Sequence, residues 1–475
     1  VLLVAGFARA ADALPVLQIA FSGDAAHLAS GADSPFTDLT ADALRLERPA
    51  LLTDVAKPLV HLEGSTEEII SVTGQQAYSG TEGYDAAGRV TVAYPVTVSG
   101  HPATVAASGE FEDGLLRLQN RSQGLIAQLQ EERFAGGFAA AVGVTRFLRA
   151  GATIGAGRGV LYAFEATGTW GPLEVGVERR AESLAYSLSS PEGSVGRLQR
   201  PPLTADLQDT RELMLVTARL RQEWVDTFAS FDFLHHDYTV DAAVSPFRWI
   251  TLRGHADSVH YAFGTATESR GVSIGQVDLG AVIARWAVGA DLRWGRQQFV
   301  IRRSETDLSV SGAWRDNGAV TGQELLALPV DLQLSLQEIF GARLSQSSIG
   351  WSWAGEHWSF GVGAQYMDIH LDAGGIHYGS AVDVALDGHN LWAPAEIQAA
   401  AATGGVGYAA GPLVVHLSAA QLVPLSGLSS QGSAPKTTPE MGTPPPSGGG
   451  GGAPAGPKGG VDGGRMVSFD ITHTF

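Results

Sequence analysis

The stretch Trp358-Ser-Phe-Gly-Val-Gly-Ala-Gln-Tyr-Met367 sets Trp358, Phe360, Val362, Ala364 and Tyr366 on one face of an extended chain, and Ser359, Gly361, Gly363 and Gln365 on the other. Side chains alternate across a strand, so one face is apolar and aromatic while the opposite face is small and polar. A strand that crosses a membrane as part of a closed barrel needs this partition over roughly 9–11 residues, with lipid on one side and a polar lumen on the other. The pattern recurs. Trp286, Val288, Ala290, Leu292 and Trp294 oppose Gly289, Asp291 and Arg293, and Tyr162, Phe164, Ala166, Gly168 and Trp170 oppose Glu165, Thr167 and Thr169. The expected fold is all-β, a transmembrane antiparallel β-barrel.

Composition agrees with that expectation. Only 17% of the 475 residues are charged although 44% are hydrophobic, so charge does not cover the surface as it does in soluble domains. Beyond the N-terminus no run approaches the roughly 20 apolar residues of a membrane-spanning helix. The absence of cysteine excludes a thiolate metal site or thiol nucleophile, and a net charge of −18 without a Lys/Arg run argues against nucleic acid as a partner.

Short turns join the strands in pairs. They are read at Ser99–Pro102, Phe147–Arg149, Trp170–Pro172, Ser245–Arg248, Arg285–Ala287, Ala354–His357 and Ala410–Pro412, and they define a periplasmic rim, because outer-membrane barrels keep their short turns there. Trp170, Trp249, Trp286, Trp353 and Trp358 sit at or beside these turns, as expected of an aromatic girdle at the headgroup level. With an upward strand near Glu67–Tyr78 and a closing strand, the count is roughly 16 strands, with 14 as the alternative. Longer connections near 188–211, 304–342, 374–395 and 426–464 then face outside, the last a Pro/Gly-rich segment whose composition predicts disorder. The C-terminal Arg465–Phe475 carries Val467, Phe469, Ile471, His473 and Phe475 on one face and is the expected closing strand.

The N-terminal part reads differently. The apolar run Val1–Phe7 followed by Ala8-Arg9-Ala10 predicts export with cleavage near Ala11, making residues 1–10 a signal-peptide remnant. From 11 to 65 the chain does not alternate. Ser34-Pro35 suits a helix start, and short helices are expected there, ahead of a barrel over 66–475.

Ser22–Asp33, followed by Ala41-Asp-Ala-Leu-Arg-Leu-Glu-Arg-Pro-Ala-Leu-Leu52, resembles the opening of the outer-membrane long-chain fatty acid transporter family, the FadL type with its PorV-like relatives. Arg48-Pro49-Ala50-Leu51 falls where that family has Asn-Pro-Ala-x-Leu, so Arg replaces the asparagine. Val92–Val96 and Phe138–Gly157 look like the family's early hairpins. The resemblance implies a hatch that plugs the lumen from the periplasmic side, here around Leu44, Arg48, Pro49, Ala50, Leu51 and Leu52. It also implies passive uptake of small hydrophobic molecules with lateral release through the wall. The loop residues Leu325, Leu326, Leu328 and Phe340 are candidates for an outer capture site. Alternatives are a PorV-like docking or structural barrel, with a protein partner at the extracellular loops, and a general diffusion porin. The location expected in each case is the bacterial outer membrane, with its lipid around the wall.

Catalytic chemistry is not expected. No nucleophile signature such as G-x-S-x-G is present, and Gly151–Gly157 lacks the lysine of a phosphate-binding loop. His235-His236-Asp237 is the densest group of potential ligands, but on a strand adjacent histidines point to opposite faces, so neither a metal nor any other cofactor is expected. Glu165, Glu174, Glu178, Arg180, Asp241, Arg253, Asp257, Asp291 and Arg293 are expected to face the lumen, where their mixed signs suit ion pairs with one another or with the hatch.

Overall fold

The computed structural model describes residues 46–69, 71–73, 80–120, 124–157, 159–190, 193–195, 198–200, 203–269, 272–316, 333–372, 377–378, 395–424, 460–462 and 464–475. The expected signal remnant, Leu44, the loop residues Leu325, Leu326 and Leu328, and most of 426–464 lie outside them. The described residues are nearly all strand. In order come β1 (Leu59–Ile69), β2 (Gly80–Val98), β3 (His101–Asn120), β4 (Gly124–Thr145), β5 (Leu148–Gly157) and β6 (Gly159–Trp170). Then follow β7 (Leu173–Ser190), β8 (Leu203–Gln222), β9 (Val225–Asp232), β10 (Tyr238–Phe247), β11 (Ile250–Ser269) and β12 (Val272–Trp294). The last six are β13 (Gln297–Asp316), β14 (Gln333–Ala354), β15 (Trp358–Asp372), β16 (Ala395–Ala410), β17 (Leu413–Pro424) and β18 (Arg465–Thr474).

Each strand pairs antiparallel with its neighbours in sequence, and β18 returns to β1 from Leu59↔Thr474 to Glu68↔Arg465, so the sheet closes on itself. Closure removes every free edge, as it must where no water is available to bond exposed backbone groups. Side chains such as Phe138, Ile154, Val362, Ile349 and Val288 point outward and are exposed, forming an apolar belt around the wall. This is the architecture of outer-membrane barrels. Among the described residues no helix is long and apolar enough to cross a membrane, so the strands alone carry the span.

Several expectations need correction. The barrel has eighteen strands where roughly sixteen were expected. Arg285–Ala287 is no turn but lies within the 23-residue β12, whose real turn follows Trp294 at Gly295-Arg296. The strands reach well past the span assumed from membrane thickness, and Arg285 in mid-strand is explained by its lumen partner Asp257. A turn at Glu223-Trp224 was missed, and with it the hairpin of β8 and β9. Trp170, Trp224, Trp249, Trp294 and Trp358 are exposed on the short-turn rim, whereas Trp286 points outward farther up the wall. The first strand begins at Leu59, inside the segment expected to be hatch, and not near Glu67.

The wall is not equally tall all round. The hairpin β5–β6 stops at Gly157–Gly159, and beyond it β4 pairs directly with β7 from Gln128↔Ser189 to Gln130↔Ser187. The hairpin β9–β10 stops at 233–237, and beyond it β8 meets β11 at Thr204↔Glu268 and Ala205↔Thr267. Eighteen strands at the short-turn rim thus become fourteen in the outer half. Strands of about ten residues, rising about 3.3 Å per residue and tilted about 40°, end about 25 Å above that rim, near the outer boundary of the apolar band.

Candidate functional site: a hatch docked beneath a low wall

Leu46 to Val55 lies inside the barrel, with a short 3-10 helix at Pro49–Asp54 that proline starts at its first position. The inner wall is built to receive it. Ala93, Ala106, Ala139 and Ala141 present small side chains inward, and Leu46, Leu51 and Leu52 fill the space against them. Burying three leucines contributes about 1.5–3 kcal/mol each. Gly151 on β5 lets the backbones touch, because a Cβ there would stand 2.5 Å from Pro49 C and Ala50 N.

Polar contacts fix the orientation. Glu165 of β6, almost fully buried, accepts hydrogen bonds from Arg48 Nε at 3.2 Å and Nη2 at 2.6 Å, while its other oxygen accepts from the Ala50 N–H at 3.0 Å. One carboxylate thereby holds both a side chain and the start of the helix, whose first N–H groups have no partner within the helix. The Arg48 guanidinium also lies over the Phe228 ring, 5.4 Å from its centroid, and donates to Thr217. Thr153 Oγ1 donates to the Leu46 carbonyl at 2.7 Å. At the flanks Arg180 pairs with Glu47, and Arg149 joins Asp54 to Glu174. Arg48 is therefore the residue whose side chain ties the start of this helix to the wall.

These contacts converge on the base of β5, β6, β7 and β8, directly under the low hairpin β5–β6. Above its tip, residues 131–133 of β4 and 184–186 of β7 have no described ladder partner across the gap, so the backbone pairing of the wall is notched there. Glu178 of β7 sits buried beneath the hatch with Arg180 Nε 3.5 Å away.

The other lumen charges form cross-strand chains. Asp241 meets His255, which meets Asp257, which meets Arg285. Arg253 and Arg302 both hold Asp291, at 2.8 and 2.6 Å. Arg89 bridges Glu63 and Glu110. Arg293 is exposed near the short-turn rim. Sequence reading named many of these acids but missed Arg89, His255, Arg285 and Arg302, although each holds an inward position of its alternating strand. Phe340 lies in β14, not in a loop.

His235 and His236 are not on a strand. They occupy the tip of the β9–β10 hairpin, where His236 adopts a φ of 61°. Among the described residues no group of His, Cys, Asp and Glu is arranged to hold a metal ion.

No protein-family model matches the chain, and no curated protein matches it in sequence. Solved structures of similar shape include a FadL homologue of Pseudomonas aeruginosa, at 11% identity over 95% of this chain and 98% of that one, with a TM-score of 0.39. The Ralstonia pickettii toluene transporter TbuX is similar at 14% identity, over 95% and 98%, with a TM-score of 0.41. Pseudomonas aeruginosa OpdQ follows at 10%, over 88% and 98%, with 0.37. At such scores these likenesses carry no argument about family or function. The assignment of fold rests on the closed ladder and its apolar belt.

Proposed function

We propose that this chain is a passive channel of the bacterial outer membrane for small hydrophobic molecules, closed by its hatch and open to the side. The observation that carries this reading is the docking of 46–55 under the β5–β6 notch through the Arg48–Glu165 pair. A hatch in the lumen opposes free diffusion of water-soluble solutes, which disfavours an open porin. The notch gives an apolar molecule a side exit from the lumen close to the outer edge of the apolar band. The lumen charges do not oppose this, because cross-strand contacts engage them and they do not stand as isolated charges in the path. Molecules that enter from outside would move inward when the hatch shifts and leave sideways down their own gradient, with no energy input.

Proteoliposomes containing the purified barrel and an uncharged aromatic fluorophore, N-phenyl-1-naphthylamine, test this. The expected result is fast probe entry with little ion conductance, and faster entry together with ion leakage in Glu165→Gln. A full-length protein that conducts ions freely and leaves probe entry at the rate of empty liposomes overturns the reading.

A further inference from the structure

The apolar belt is interrupted on one side of the barrel. The outward faces of β13 and β14 start as the rest of the wall does, with Phe299, Ile301 and Ile349 exposed. Above them the same faces carry Arg303, Glu305 and Asp307 on β13 and Ser347, Ser345 and Arg343 on β14. Alternation assigns these to the outside, because Arg302, Thr306, Leu344 and Gln346 between them are buried toward the lumen.

This stripe stands at the level of the belt. Arg303 is laddered between Val288 and Ser347, and Glu305 between Trp286 and Ser345, while Tyr366 lies beside Ser347 on the next strand. Val288, Trp286 and Tyr366 are exposed on the outer face, so charge and apolar surface meet at one height. Arg303 comes six residues beyond Gln297. At about 3.3 Å per residue and a tilt of about 40° it stands about 15 Å above the short-turn rim, inside an apolar band about 25 Å tall. Its own wall answers it incompletely. Arg343 reaches Asp307 at 2.7 Å and Glu305 at 3.4 Å. Arg303 donates to Ser347 Oγ at 2.7 Å and has no carboxylate partner among the described residues. Arg179, another outward arginine, differs in pairing with Glu212 at 3.0 Å. A lipid-facing arginine at such depth is costly, and ionisable groups there are kept where a partner covers them.

We propose that the outward stripe of β13 and β14 is a contact surface for a second copy of this chain, paired about a two-fold axis along the membrane normal. Charge decides the occupant. Two arginines and two carboxylates balance, which suits a self-complementary contact, whereas an anionic lipid headgroup beside Arg303 would also meet Glu305. An axis between the strands brings β13 of one protomer against β14 of the other. The pairs made within the wall are then offered again across the interface, Arg303 to the partner's Ser347 and Asp307 to the partner's Arg343. Ser345 and Ser347 are small, so the two walls can approach closely, as small residues allow between membrane helices. The hatch docks on β2 to β9, so pairing through β13 and β14 leaves its wall free, and this inference is independent of the channel reading.

The cysteine-free chain permits a direct test. Ser345→Cys in the full-length barrel, reconstituted alone at a high lipid-to-protein ratio, should cross-link to a dimer on oxidation. Phe138→Cys, on the apolar belt of β4, reports chance encounters and should remain monomeric. Equal cross-linking at the two positions overturns the contact, whether lipid or another protein is what covers Arg303. Arg303→Leu together with Glu305→Leu, added to Ser345→Cys, is expected to lower the cross-linked fraction severalfold with heat-modifiable migration retained. An unchanged fraction overturns the charged stripe as the basis of pairing. Should Ser345→Cys fail to assemble, sedimentation equilibrium of the native protein in density-matched detergent decides. The mass of a dimer is expected, and that of a monomer overturns the proposal.

Discussion

At Glu165 a single carboxylate receives three donors from the hatch. Breaking a buried ion pair by removing one partner costs about 3–5 kcal/mol, because the other charge is left without its counterion. Glu165→Gln should therefore release the segment around Arg48 while leaving the barrel assembled, visible as new protease cleavage near residue 50 with unchanged barrel migration on gels. Gly151→Ala acts on the same interface by shape alone. A methyl group 2.5 Å from Pro49 C has no room, and overpacking of this kind costs about 1–3 kcal/mol. The same cleavage should appear in this variant, more weakly, and resistance equal to wild type would show that the backbones are not in contact. Neither residue's role was legible in the sequence. Glu165 was recognisable as inward-facing from its alternation with Phe164 and Ala166, but its partner lies 117 positions away and no local pattern encodes that distance.

Among the elements, the strands whose faces partition cleanly were legible, and the boundaries were not. β15 and β6 alternate as their sequences demand, with Phe360 and Phe164 exposed and Gln365 and Glu165 buried. β12 misled because its 23 residues outrun the membrane span, so a turn was placed where an arginine interrupts the apolar run, although that arginine faces the lumen. The β9–β10 tip was hidden for the opposite reason: those strands are short. Closure by β18 carries a prediction. The Phe475 N–H donates to the Pro58 carbonyl at 2.8 Å, and its ring packs on His473, so the last residue finishes the seam with β1. Phe475→Asp should reduce the amount assembled in the outer membrane without affecting export, measured as the heat-modifiable fraction in membrane preparations. Assembly at the wild-type level would mean that β1 and β18 close without it.

For the molecule as a whole, the decisive property is the taper. A closed sheet widens roughly in proportion to its strand number, so a lumen with eighteen strands at the short-turn rim and fourteen in the outer half is a funnel. The hatch occupies the wide end, where Ala93, Ala106, Ala139 and Ala141 leave room for it, and the two low hairpins end where the wall narrows. Sequence reading allowed sixteen or fourteen strands because one turn on the rim it counted, Glu223-Trp224, went unseen, and that rim is where all eighteen strands meet. Deleting the chain through Lys57 should open a stable pore in planar bilayers, while the full-length protein conducts poorly. In the truncated pore, uncharged polymers added on the short-turn side should enter and lower the conductance at sizes that have no effect from the opposite side, because the wide mouth admits what the fourteen-strand ring excludes. A cylinder of constant strand number gives the same cut-off from both sides. That symmetric result would remove the taper, and with it the reading of the two low hairpins as the place where the wall narrows.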